Sequence, residues 1–223
     1  MPMHTFGFPC RIDDIIQIAV SYNIPVIEDA AESLGSWYKN RHTGTFGLAG
    51  IFSYNGNKTI TTGGGGMIIT DNSELARRAK HITTTAKIPH KYEYIHDEIA
   101  YNYRLTNVDA AIGVAQMEQI ERYLKNKRET AKLYRQFFED KAIKYFAEPE
   151  NARANYWLNT ILFSDSEKKT QFLEYTNEHG IMTRPVWRLM NKLDMYKNCQ
   201  SGNLENCDWF EKRIVNLPSS VRK

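Results

Sequence analysis

The feature that most constrains the fold is an amphipathic helical pattern running straight into a short apolar strand that ends in two carboxylates. In residues 11–22, RIDDIIQIAVSY, the apolar groups Ile12, Ile15, Ile16, Ala19 and Val20 recur at the spacing of one buried helical face, and Asp13 and Asp14 suit the positive end of a helix. Ile24-Pro25-Val26-Ile27 follows as an apolar run closed by Glu28-Asp29, the pattern of a buried strand whose carboxyl end meets a site. Helix followed by buried strand predicts an α/β sheet. Two further apolar runs, 49–54 and 67–70, read as strands and flank the polar, glycine-rich segment Asn55 to Gly66.

Downstream, Ser73 is expected to cap a short helix, SELARRAKH, and residues 83–104 mix aromatic and polar groups without a sustained period, as in a functional or interface loop. A long helical pattern starts at Thr106 or Asn107 and runs to about residue 140, a length that suits a connector between domains. Beyond it the pattern is strand (156–163), helix (167–179, ended by Gly180) and strand (181–187), an α+β arrangement. We therefore expect a larger domain over 1–140, including the connector helix, and a smaller one over 141–223.

Composition narrows the partners. The 29 basic and 26 acidic residues are interspersed and leave a net charge of only +3, which gives no footprint for nucleic acid. No apolar stretch approaches the roughly 20 residues of a membrane span, and MPMHTFGFPCRIDD lacks the order of a secretory signal, so the expectation is a cytoplasmic protein without a membrane partner. Cys10, Cys199 and Cys207 show no CxxC spacing and read as free thiols. His42, His81, His90 and His96 lack metal-ligand spacing, and no metal is expected.

The segment SYNGNKTITTGGGGM sets Lys58 between two expected strands, followed by four glycines, Gly63 to Gly66. Glycines let main chain approach a ligand closely, and a lysine desolvated at a strand end becomes more nucleophilic. Taken alone, the same residues also describe a solvated lysine beside a mobile turn. A nucleotide P-loop is excluded by order, because GxxxxGK[ST] is absent.

Read together, EDAAESLG (28–35), HTGTFG, FSYNGNKTITTGGGGM, HDEIAYNYRLTNVDAAIGVAQMEQIE and RPVWRLMNKL closely resemble the DegT-type nucleotide-sugar aminotransferases. Within them the motifs look most like 4-aminotransferases acting on UDP-linked 4-keto-6-deoxy-N-acetylhexosamines of the bacillosamine and legionaminic acid type. The resemblance implies the pyridoxal-phosphate-dependent transferase fold type I, here as a partial large-domain α/β sheet plus a smaller α+β C-terminal domain. It implies pyridoxal 5'-phosphate as cofactor, a nucleotide-sugar substrate, glutamate as amino donor, and a homodimer with a shared active site. By position, Lys58 would carry the cofactor covalently and move protons, and Asp29 would pair with its pyridinium nitrogen. Ser53 would meet the phosphate, Glu32 would lie near the ring oxygen, and Asn102 would reach a neighbouring subunit's phosphate. Arg184, with Trp187 and Arg188, and His4 in HTFGFP would lie toward the substrate, the histidine in a positional role. A surface ion pair is the equally open reading of Arg184. Ala100 departs from the usual glycine before this Tyr-Asn segment.

The resemblance begins at His4, with no counterpart of roughly the first third of the family chain. This raises the expectation of exposed apolar faces on residues 12–20 and 49–54. It also raises an alternative role as a non-catalytic remnant, or as one half of a split enzyme.

Overall fold

The computed structural model describes residues 1–222. In chain order its regular elements are α1 (Ile12–Ser21), β1 (Ile27–Asp29), β2 (Trp37–Tyr38), β3 (Arg41–His42), β4 (Ala49–Ser53), β5 (Gly66–Ile69), α2 (Ser73–Thr83), β6 (Lys87–Ile88), β7 (Ile95–His96), α3 (Asn107–Met117) and α4 (Ile120–Phe138). They continue with β8 (Lys144–Tyr145), β9 (Ala152–Arg153), β10 (Asn159–Leu162), α5 (Ser166–Glu178), β11 (Arg184–Pro185), α6 (Glu205–Glu211) and β12 (Ile214–Leu217). The chain divides into two compact units, 1–123 with 149–155, and 124–148 with 156–223. Sequence reading sets a boundary after the long helix, at 140/141, whereas the contacts divide within α4 and return residues 149–155 to the first unit.

The first unit is built on a mixed sheet in the order β1-β4-β5, with β1 parallel to β4 (Asp29 opposite Ile51) and β5 antiparallel to it (Ser53 opposite Gly66). The ladder of β1 begins later than its apolar run, because Pro25 has no N–H to give and the N–H of Ile24 closes α1 onto Ala19 O at 2.8 Å. That shift brings Glu28 and Asp29 into the strand itself. Residues 2–4 extend the sheet past β1, with Asp29 N bonded to Pro2 O and His4 N to Asp29 O. Ile12, Ala19, Val26 and Tyr38 form one apolar cluster, and Ala30, Phe52, Tyr54 and Ile60 a second.

Asn72, not Ser73, caps α2, its Oδ1 accepting from Leu75 N at 2.8 Å. Within the loop expected over 83–104, β6 and β7 pair as a small hairpin. The single helix expected from 107 onward is two: Thr106 caps α3, and an i−3 bond from Gln119 N to Gln116 O interrupts the run before α4. Neither α2 nor α3 buries a residue. Against the expectation of exposed faces over 12–20 and 49–54, Ile12, Ala19, Ala49, Phe52 and Tyr54 are buried, and only Val20 and Ile51 of the expected apolar groups are exposed, with Ile18, Met67 and Ile68 beside them.

The second unit has an antiparallel sheet in the order β11-β12-β10-β8, backed by Phe138, Ile161, Phe163, Val215 and Leu217. Its central strand β12 is fully buried, and sequence reading does not anticipate it, although the apolar run Ile214 to Leu217 between Arg213 and Pro218 carries the signal. Conversely, the strand expected over 181–187 shrinks to Arg184–Pro185, because Thr183 N folds back on Ile181 O. Asp165 caps α5 and Gly180 ends it at φ +75°. No helix of the described residues is long and apolar enough to cross a membrane.

Candidate active site

The carboxyl end of β1 carries two glutamates with opposite roles. Glu28 points into the interior, where its carboxylate accepts from Gly44 N (2.7 Å), Phe46 N (2.6 Å), Gly47 N (2.7 Å) and His4 Nε2 (2.9 Å). Burial alone would raise its pKa, but the His4 ring and the Gly47 and Gly44 amides outweigh it and hold the carboxyl below the usual range. The loop 44–47 is thus tied to β1 through one side chain.

His4 is fully buried. Cys10 N donates to its Nδ1 at 3.2 Å, which leaves the ring proton on Nε2 for Glu28. With both nitrogens engaged, His4 has none for a sugar, and its expected place toward the substrate gives way to the positional role alone.

Glu32 faces Lys58. Its Oε2 accepts from Phe6 N at 2.7 Å, and its Oε1 lies 3.7 Å from Lys58 Nζ, whose side chain is only 14% exposed. Burial raises the Glu32 pKa, the charge of Asp29 adds to the rise, and the Phe6 amide and Lys58 offset it only in part. The structure therefore gathers Asp29, Glu32 and Lys58 into one electrostatic neighbourhood. Asp29 keeps its Oδ1 on Ala31 N at 3.1 Å, which leaves Oδ2 for an external donor. Ser53 ends β4, and its Oγ accepts from Asn55 N at 3.3 Å, at the mouth of the turn that carries Lys58.

The glycine run closes that turn. Gly65 sits at φ +83°, where a side chain is strained and its Cβ would meet Leu105 Cδ1 at 2.8 Å; a Cβ on Gly66 would lie 2.4 Å from Phe52 O. The second half of the run, Gly65 and Gly66, is thus a tight return into β5, whereas Gly63 and Gly64 face open space.

Sequence reading misses Asn155, which is fully buried. Its Nδ2 reaches Glu32 O (2.8 Å), Leu34 O (2.9 Å) and Thr59 Oγ1 (3.2 Å), joining the Glu32 loop to the residue after Lys58. Ser36 completes the tie by accepting from Asn155 N and donating to Gly7 O. A lone asparagine in ARANYW gives no local sign of this. His42, half-buried, accepts from Gly35 N and donates through Nδ1 to Thr43 O, and desolvation lowers its pKa, so it serves as a neutral structural group.

Other expected residues lie outside this cluster. Asn102 is exposed, on a segment bridged to Thr84 and held by Tyr101 N on Ile82 O and Tyr103 N on Thr83 O. Ala100 is not among the residues with positive φ, so its methyl group costs no backbone strain. In the second unit, Arg184 donates through Nη1 to Asn177 Oδ1 at 2.8 Å and to Thr183 O at 2.9 Å. It pairs with an amide and a carbonyl there and not with a carboxylate. His81 bonds Asp97 at 2.7 Å while Arg78 grips both oxygens of Glu98, an ion-pair network joining α2 to the segment after β7.

Against known proteins, the model of the DegT/DnrJ/EryC1/StrS aminotransferase family matches residues 1–222. The chain belongs to this family. It is 38% identical over 221 residues to the GDP-perosamine synthase of Escherichia coli O157:H7, covering 98% of this chain and 59% of that protein. It is 31% identical to the GDP-perosamine synthase of Vibrio cholerae, covering 98% and 60%. The chain therefore spans about three-fifths of these relatives. Among solved structures it resembles the Helicobacter pylori aminotransferase PseC, with a TM-score of 0.93 at 22% identity over 99% of this chain and 61% of that one. At that identity the likeness establishes the fold, which is the fold type I expected.

The residues fit the family's cofactor, pyridoxal phosphate, by the chemistry of the donor set. A largely desolvated amine suits an aldehyde carbon, the Asp29 carboxylate suits a protonated ring nitrogen, and the Ser53 hydroxyl suits a phosphate oxygen.

Proposed function

We propose that this chain carries the cofactor lysine and acid–base machinery of a pyridoxal-phosphate-dependent enzyme that transfers an amino group, from glutamate, to the keto carbon of a nucleotide-linked 4-keto-6-deoxy sugar. The observation that carries this reading is the Lys58 amine, nearly enclosed, 3.7 Å from the Glu32 carboxyl, whose pKa is raised by burial and by the charge of Asp29 at the strand end.

The bound cofactor supplies an electron sink for the carbanion formed when a proton leaves the carbon that bears the amine. This chain's residues do the rest. Lys58 would hold the cofactor and would serve as the general acid and base that moves a proton at the carbon bearing the amine. Asp29 holds a proton on the ring nitrogen through a charge-assisted hydrogen bond. Ser53 anchors the phosphate end, and Asn155 keeps the loops bearing Glu32 and Lys58 in register.

For the nucleotide we place guanosine ahead of the uridine expected from motif resemblance, because the relatives at 38% and 31% identity bear the name GDP-perosamine synthase. We further propose that the working form is a homodimer in which Asn102 serves the neighbouring subunit. Its exposure, and that of Tyr101, Tyr103 and Val108 around it, supports this reading.

The test is amino transfer from glutamate to GDP- and UDP-linked 4-keto-6-deoxy sugars, with Lys58→Ala as control. Product from the GDP-linked sugar that vanishes with Lys58→Ala supports the reading. Faster turnover of the UDP-linked sugar reverses the nucleotide assignment. An inert chain favours the alternative of a partner polypeptide, for which the unburied α2 and α3 speak.

A further inference from the structure

Thr85 and Ala86, which turn the chain out of α2, both have a left-handed backbone, at φ +69° and +48°. Neither is a glycine or an asparagine, so each is strained, and such a turn persists only where its surroundings over-determine it. Here they do. Ala86 is fully buried, its N–H donates to His81 O at 2.9 Å, and its carbonyl accepts from Asp97 N at 3.2 Å. Thr85 N donates to Tyr101 O at 3.0 Å, and Thr85 O accepts from His96 Nδ1 at 2.7 Å. Apart from His81 O, every one of these partners lies on the segment that leads to Asn102.

Side chains complete the grip. Arg78 donates to both oxygens of Glu98, at 2.6 Å to Oε2, and His81, one helical turn on, bonds Asp97 Oδ1 through Nε2 at 2.7 Å. Because α2 buries none of its residues, apolar packing does not set where its last turn meets the segment. Single exposed ion pairs add little stability, whereas a guanidinium forked onto both oxygens of a carboxylate fixes direction. Beyond Glu98, Tyr101 N and Tyr103 N are pinned to Ile82 O and Thr83 O, each at 2.9 Å, and the two rings stack at 5.0 Å between centroids. Asn102, between them, is exposed on a fixed backbone bridged to Thr84.

We propose that Arg78 and His81 are positioning residues: by clamping Glu98 and Asp97 they hold the strained turn, and so present Asn102 to the cofactor phosphate held by a second copy of this chain. The inference rests on the homodimer reading above and names what sets the residue that crosses between subunits.

The test mixes two chains. Lys58→Ala keeps Asn102 without the lysine, Asn102→Ala keeps the lysine without Asn102, and only a mixed dimer joins an intact pair across the interface. Asn102→Ala alone is expected to bind pyridoxal phosphate roughly tenfold more weakly than wild type, read from its visible band, and an excess of Lys58→Ala chain is expected to restore the affinity. Arg78→Ala placed in the Lys58→Ala chain should abolish most of that recovery, whereas the same substitution placed in the Asn102→Ala chain should leave it unchanged. Arg78→Lys, which keeps the charge without the fork, should retain part of the recovery, and His81→Ala should act as Arg78→Ala does but more weakly, since one bond is lost in place of two. Without cofactor, Arg78→Ala should quicken hydrogen exchange at the Tyr101 and Tyr103 amides several-fold while the α4 amides keep their rate. Recovery that is kept in both placements or lost in both, or unchanged exchange at those two amides, overturns the positioning role and leaves the shared site standing. No recovery on mixing overturns the shared site and this inference with it.

Discussion

Two regions of the first unit, close in sequence, are built on opposite principles. Around β1 the interior is polar yet closed: His4, Glu28, Ser33, Ser36, Thr43 and Asn155 are fully buried, and each has partners within the unit. From residue 92 to α3 the surface is apolar yet open, with Tyr92, Tyr94, Ile99, Tyr103, Val108 and Val114 largely exposed. Unpaired buried polar groups are costly, so the first region folds only in one arrangement and gives Lys58 and Asp29 a rigid frame. Exposed apolar groups at this density mark a surface that another polypeptide covers. The contrast sets a closed polar frame around β1 beside an apolar face open to solvent.

The largest effect expected from breaking that contrast is at Glu28. Glu28→Ala removes the acceptor of four donors and should cost about 3–5 kcal/mol, read as a shift in the chemical-denaturation midpoint of the first unit. Asn155→Ala should cost less, about 1–3 kcal/mol, and should also slow cofactor capture by Lys58, because it releases the tie from Glu32 to Thr59.

The two glutamates should separate by pH. The Glu28 pKa is lowered in the fold, so its contribution is present above the ordinary carboxylate range and is lost as pH falls through the folded value. That of Glu32 is raised, so the proton it holds favours the fold at low pH, and this contribution fades as pH rises through its folded value. Glu32→Gln should therefore raise stability at neutral pH, while Glu28→Gln lowers it, both measured by denaturation at pH 7 and pH 4. The smallest effect on stability is expected on the open face. Tyr103→Ser with Val108→Ser should change it by no more than about 0.5 kcal/mol each, yet shift the chain from associated to monomeric species in sedimentation. Loss of stability without loss of association would reverse the contrast.

What the sequence discloses follows the same division. Asp29 at a strand end, Lys58 in a turn between β4 and β5 and the glycines that return the chain into β5 are legible as local positions, whereas the roles of Asp29 and Lys58 come from the family resemblance. The helix α1 and strands β4 and β5 are legible because apolar periodicity is local too. Glu28 and Asn155 are not, since their meaning lies in amides and carbonyls contributed by segments 16 to 123 residues away. His4 is legible as a motif residue, and only its burial and its bonds to Glu28 and Cys10 show how it ties the frame. The strand β12 escapes because four buried residues beside a proline resemble a loop unless their partner β10 is known.

The most direct test of the central claim is the visible absorption spectrum of the purified chain with pyridoxal phosphate, recorded beside Lys58→Ala and after addition of glutamate. The account predicts a band in the wild-type chain that Lys58→Ala abolishes and that bleaches with glutamate. A wild-type spectrum indistinguishable from that of Lys58→Ala would contradict it.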